Sequence, residues 1–106
     1  MADHRVVLLR AEKPFWLVDA VIQDGELTVC SGDAQREWYV IVAASERLPL
    51  LHALRARCGR QAPPGAAPER ETLELLAQAF SGRTGLYEEI RAFLSEAGIP
   101  CRTTVW

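Results

Sequence analysis

The stretch FWLVDAVIQ-DG-ELTVCS, residues 15–31, leaves the chain little freedom. Two β-prone runs flank Asp24-Gly25. A two-residue type I′ turn needs positive φ at both central positions, which Asp and Gly tolerate. Such a turn also fixes the register. Gln23 then faces Glu26, Ile22 faces Leu27, Val21 faces Thr28, Ala20 faces Val29, and Asp19 faces Cys30. Side chains alternate across a strand. One face therefore carries Trp16, Val18, Ala20, Ile22, Leu27 and Val29, with no charge among them, and belongs under the helices. The other carries Phe15, Leu17, Asp19, Val21, Gln23, Glu26, Thr28 and Cys30. Its apolar groups are punctuated by carboxylates, and an antiparallel sheet can leave a face of that kind in water.

The flanking segments extend this sheet. RVVLLR (5–10) reads as a first strand, apolar on both parities and therefore expected to be central or covered. Glu12-Lys13-Pro14 breaks it, because proline lacks a ladder donor. After a turn at Gly32-Asp33-Ala34-Gln35, EWYVIVA (37–43) is a fourth strand. Trp38 and Tyr39 must face opposite sides of it, and the sequence leaves open which one faces the core.

The second half reads as helices. Ser45 is placed to cap the first, which carries Leu48, Leu51 and Leu54 on one stripe and Arg55 and Arg57 near its C-terminus. Pro49 lies in its first turn or marks a delayed start, and Gly59 ends it. GRQAPPGAAP (59–68) has the composition of a mobile loop. Pro68 opens a second helix, with Leu73, Leu76, Ala77 and Phe80 at i, i+3, i+4 and i+7. Thr84 is placed to cap a third, with Leu86, Ile90, Phe93, Leu94 and Ala97 on one face and Gly98 at C′. A last strand covers 101–105. If Ile99, Cys101, Thr103 and Val105 face inward, Trp106 adds aromatic surface beside Phe15 or Leu17. If the phase flips at Pro100, Trp106 plugs the core instead. The expectation is one α+β domain over 1–106, a four- to five-stranded mainly antiparallel sheet with three helices packed on one face. Its strands lie within 5–43, its helices within 45–97, and its last strand at 101–105.

Composition narrows the function classes. The formal charge of −2 argues against direct binding of nucleic acid, which calls for a basic excess. No apolar run reaches the length of a bilayer span. Residues 1–5 lead straight into VVLL, which is too short for a signal-peptide core, so a cytoplasmic protein is expected. Cys30, Cys58 and Cys101 are scattered, with no CxxC, and read as free thiols in a reducing compartment rather than zinc ligands. Charge is uneven along the chain: residues 1–46 carry net −4 and residues 47–106 net +2.

Catalytic motifs are missing. There is no GxSxG, no HExxH and no glycine-rich phosphate loop. Ser45 and Thr84 are accounted for as caps. Glu88 and Glu89 are adjacent and diverge on a helix. Arg55, Arg57 and Arg60 fit helix-end compensation and a solvated loop better than a phosphate site. An enzymatic or small-molecule alternative would need a pocket between sheet and helices, using His52 and Cys58. No metal and no cofactor are expected.

The open face points instead to binding. A contiguous apolar patch tends to mark an interaction site, and aromatic anchors dominate binding energy. The candidate contact residues are Phe15, Leu17, Asp19, Val21, Glu26, Thr28 and Trp106. The acidic first half would suit a basic partner. Self-association through the same face, as a homodimer or structural subunit, is an alternative. The order hairpin, strand, helices, with EWYVIVAASERLPLLHAL (37–54), LLAQAF (75–80) and IRAFLSEAGIP (90–100), resembles small bacterial α+β immunity proteins of polymorphic and contact-dependent toxin systems. That resemblance implies a non-enzymatic module that binds a cognate protein toxin, often a nuclease, and blocks it. These families share no site motif, so no residue role is carried over from them.

Overall fold

The computed structural model describes residues 4–12, 15–33, 35–59, 67–80, 82 and 85–105. In chain order the elements are β1 (His4–Glu12), β2 (Phe15–Gln23), β3 (Glu26–Gly32), β4 (Glu37–Val42), a 3₁₀ turn (Ala44–Glu46), α1 (Arg47–Cys58), α2 (Pro68–Phe80), α3 (Leu86–Glu96) and β5 (Arg102–Val105). The strands form one antiparallel five-stranded sheet in the order β1-β2-β3-β4-β5, so the α+β expectation holds.

The hairpin register is the one its turn dictates, from Gln23↔Glu26 to Asp19↔Cys30. Asp24 and Gly25 sit at φ 53° and 81°, as a type I′ turn requires. Gly25 is needed for a second reason: a Cβ there would stand 3.1 Å from the Ala44 Cβ, because the 3₁₀ turn passes close to the hairpin tip.

Of the two places expected for the first strand, central or covered, it takes the second, with α2 packed against it. β1 is an edge strand, not a central one. The pairing slips between Val7 and Leu9, leaving Leu8 as the extra residue of a bulge. The bulge resets the alternation, so Val6, Leu8 and Leu9 lean into the core while Val7 stays 48% exposed. That is why the run is apolar on both parities. The edge is partly closed by the Gly82 N–H, which donates to the Leu8 carbonyl at 2.8 Å just beyond α2.

Beneath the sheet, Val18, Ala20, Ile22, Leu27, Val29, Val40 and Val42 meet Leu50, Leu51 and Leu54 of α1, Leu73, Leu75, Leu76 and Phe80 of α2, and Leu86, Ile90, Phe93 and Leu94 of α3. Trp38 faces this side and packs on Trp16, with ring centroids 5.6 Å apart, and Tyr39 faces the other. α1 and α2 are joined by a two-pronged ion pair. Arg55 donates through Nε and Nη2 to the two oxygens of the buried Glu71, at 2.8 and 2.7 Å. Arg57 lies over the Phe80 and Phe93 rings, 4.7 and 5.6 Å from their centroids.

Several local expectations are corrected. Ser45 lies inside the 3₁₀ turn and is not the cap of α1; the N-cap is Glu46, with no capping side-chain bond. Pro49 sits in the first turn of α1, where it costs no intrahelical bond. Leu48 is 53% exposed, and Leu50 is buried in its stead beside Leu51 and Leu54. Ala97 is exposed and serves as the C-cap of α3, with Gly98 beyond it at φ 70°. Gly85 is the N-cap of α3. Thr84, Arg60 and most of the 59–68 loop lie outside the described residues.

Candidate functional site

The face of the sheet opposite the helices is built of cross-strand rows. Register places Arg5, Val21, Thr28, Ile41 and Arg102 in one row, and Val7, Asp19, Cys30, Tyr39 and Thr104 in the next. Arg10, Leu17, Gly32 and Glu37 form a third, and Glu12 with Phe15 a fourth. Phe15 is 40% exposed and Val7 48%, while Leu17, Val21, Thr28, Tyr39 and Ile41 are half-buried. The residues expected to form the site therefore do share one face. Val21, Glu26 and Thr28 also line a groove of ≈ 490 Å³ at the hairpin end, together with Gln23, Asp24 and Ala44. Trp106 lies outside the described residues. Arg102 and Thr104 of β5 are on the open face, and all four β5 residues are exposed.

Asp19 behaves differently from its neighbours. It is buried among side chains of its own face, and Arg5 caps it, with Nε 2.8 Å and Nη2 2.6 Å from Oδ2. Its carboxylate is thus engaged with Arg5 within the chain. Arg10 pairs with Glu12 at 3.2 Å, and Arg102 reaches Glu26 at 3.6 Å. The Tyr39 hydroxyl donates to the Glu37 carboxylate. That bond, with some loss of solvent, raises the tyrosine pKa well above its ordinary value. Cys30 is also raised, first by burial and then by the Glu37 and Asp19 charges, so its thiol stays protonated. On this face Arg10, Arg5 and Arg102 thus pair with Glu12, Asp19 and Glu26, and the Glu37 carboxylate takes the Tyr39 hydroxyl.

The sequence reading missed Val7, Tyr39, Ile41, Arg5, Arg10 and Arg102. Tyr39 and Ile41 follow once the β3–β4 register is fixed, but the loop before β4 is longer than a two-residue turn and does not fix it from sequence. Val7 depends on the bulge. Arg102 depends on knowing that β5 pairs with β4.

The opposite side of the sheet holds a cavity of ≈ 420 Å³ between β1, β2, β3 and the start of α3. Leu9, Ala11, Trp16, Val18, Leu86 and Tyr87 form most of its wall, and Ser31 lines its sheet side. His52 and Cys58 are not part of it: His52 is exposed, and the Cys58 thiol points at the Leu75 carbonyl, 3.8 Å away. Arg55 and Arg57 are engaged with Glu71 and the Phe80 ring. Among the described residues no group of three or more His, Cys, Asp or Glu is placed to hold a metal ion, and no helix is long and apolar enough to cross a membrane. No protein-family model, curated protein or solved structure matches the chain significantly.

Proposed function

We propose that this protein is a non-enzymatic binding module whose open sheet face docks onto another protein. The observation that carries the reading is that face itself: Val7, Phe15, Leu17 and Val21 on β1 and β2 and Tyr39 and Ile41 on β4 flank the Thr28 and Cys30 side chains of β3, on the side of the sheet away from the three helices. Five strands about 4.8 Å apart and roughly 25 Å long present about 600 Å² of projected area. Side-chain relief brings that near the ~800 Å² per partner of a standard specific complex. Phe15 is the natural anchor, large and already partly desolvated.

Three of the carboxylates on this face are already paired with arginines, so the face suits a partner of mixed surface charge better than a strongly basic one. Within this reading the role is that of an inhibitor of the immunity type, acting in the cytoplasm by covering a protein toxin. The pattern resemblance of residues 37–54 and 75–100 supports that narrower form.

The test uses Leu17→Glu and Val21→Glu. Each new carboxylate faces an arginine across the strand pair, Arg10 or Arg5, which limits the cost to folding. Tagged wild-type protein is passed over lysate of its source organism, and captured proteins are identified by mass spectrometry. We expect one protein retained by the wild type and lost by both folded variants. Expressed alone, that protein should be toxic, and co-expression of the wild type but not the variants should suppress the toxicity. A partner held equally by wild type and variants would remove the open face from the mechanism.

A further inference from the structure

Ser31 is the one buried side-chain polar atom among the described residues that finds no hydrogen-bond partner. It is 1% exposed and sits on the helix side of the sheet, opposite Val18 and Trp38. Leu27 and Val29, the inward residues before it on β3, are apolar, and a third apolar residue would complete the stripe. A hydroxyl in that position destabilises the fold unless something accepts or donates to it. The cavity wall next to it is apolar and aromatic, from Leu9, Ala11, Trp16, Val18 and Leu86. At its mouth α3 begins at Gly85, which has no side chain to cap the first turn.

We propose that this cavity binds a small, neutral, mostly apolar molecule carrying one hydrogen-bonding oxygen or nitrogen. Its volume of ≈ 420 Å³ lies in the range of small-molecule sites, roughly 300–1,000 Å³, and admits a body of two fused rings. The Trp16 indole and the Leu86 side chain provide the apolar contact. Ser31 provides an unpartnered polar group in the lining, and its hydroxyl has three staggered positions about Cα–Cβ from which to meet a ligand. The ligand is neutral because the one charged residue in the described lining is Glu88, exposed at the rim. Glu88 repels an anion, and a cation entering the apolar floor gives up its water without a counter-charge there. The cavity is on the opposite side of the sheet from the docking face, so this inference and the proposed function stand or fall separately.

The experiment is a titration of uniformly ¹⁵N-labelled full-length protein with 2-naphthol, followed by amide chemical shifts. Saturable shifts are expected at Leu9, Val18, Ser31, Leu86 and Tyr87, with the open-face residues Thr28 and Ile41 unmoved. Ser31→Ala should weaken binding at least five-fold while keeping a dispersed spectrum. Ala11→Phe, which fills the cavity without touching Ser31, should abolish binding. 2-Naphthoate should bind at least five-fold more weakly than 2-naphthol. The inference is overturned if wild-type shifts do not saturate, if they appear on the open face instead, or if a folded Ser31→Ala or Ala11→Phe variant binds as tightly as wild type.

Discussion

Replacing Ser31 by alanine should make this protein more stable. Most substitutions in a core destabilise, so the sign alone is informative. In the folded state the Ser31 hydroxyl is 1% exposed, as part of its residue, and has no partner. In the unfolded chain it is hydrated. A buried polar group left unsatisfied costs about 1–3 kcal/mol. Alanine removes that cost and one oxygen atom of packing, and the cavity beside the residue means that little contact is lost. The net expectation is a gain of about 1 kcal/mol. With an unfolding entropy of about 2.1 cal/mol/K per residue, that raises the melting temperature of a 106-residue chain by about 4–5 °C. Urea denaturation and calorimetry of the two proteins would read it. Thr72 is the control, because its buried hydroxyl donates to the Pro68 carbonyl at 2.8 Å. Thr72→Val should lose about 0.5–1.5 kcal/mol in the same assay. If Ser31→Ala lost stability as Thr72→Val does, the hydroxyl would have a partner in solution, and the chemical basis of the cavity proposal would go with it.

Three other outcomes follow from the same structure. Glu71→Gln should lower the urea midpoint far more than Glu74→Gln on the same helix, because Glu71 is buried against Arg55 while Glu74 meets Arg70 at the surface; the double variant Arg55→Leu with Glu71→Leu should recover much of the loss. Gly25→Ala should cost about 1–2 kcal/mol by urea denaturation, since φ 81° strains any L side chain and the new Cβ meets Ala44. Cys30, Tyr39 and Tyr87 all hold their protons more tightly when folded than the ordinary values of 9.0 and 10.0, so the unfolded chain ionises first. Their contribution is full below those values and is lost as pH rises through them, so urea midpoints should fall from pH 9 upward, and Cys30→Ser should flatten the onset of that fall.

Much of this architecture was legible because a few residues overdetermine it. Asp24-Gly25 fixes one turn, that turn fixes a register, and the register sorts every β2 and β3 side chain between two faces. The open face could be read that far and no further. Its remaining members depend on choices made far apart in the chain: the bulge at Leu8, the loop before β4, and the pairing of β5 with β4. Charge was legible as a total and misleading as a surface. The sequence counts an acidic half and a basic half, but it does not show that the fold lays Arg102 of the second half against Glu26 of the first and Arg5 over Asp19 within the first. Ser31 continues the inward stripe of Leu27 and Val29, a stripe read from the sequence only as far as Val29. Its meaning depends on a cavity, and a cavity is set by how α3 seats on the sheet.

Exposed apolar groups on an open sheet face, and an edge strand, are aggregation hazards for any chain. The ion pairs show how this sheet contains them. Arg10 with Glu12 flanks Phe15 at one end of the face, Arg102 with Glu26 stands near the other, and Arg5 lies across the middle on the buried Asp19. A second sheet stacking at random would have to strip water from all three pairs, whereas the proposed partner, if matched, would leave the outer two hydrated at its rim. In the proposed reading, docking and resistance to aggregation draw on the same residues. Neutralising the guards by Arg10→Ala with Glu12→Ala should leave the hairpin folded and promote concentration-dependent self-association, measurable by sedimentation. A monomer unchanged by that double substitution would show that the pairs guard nothing.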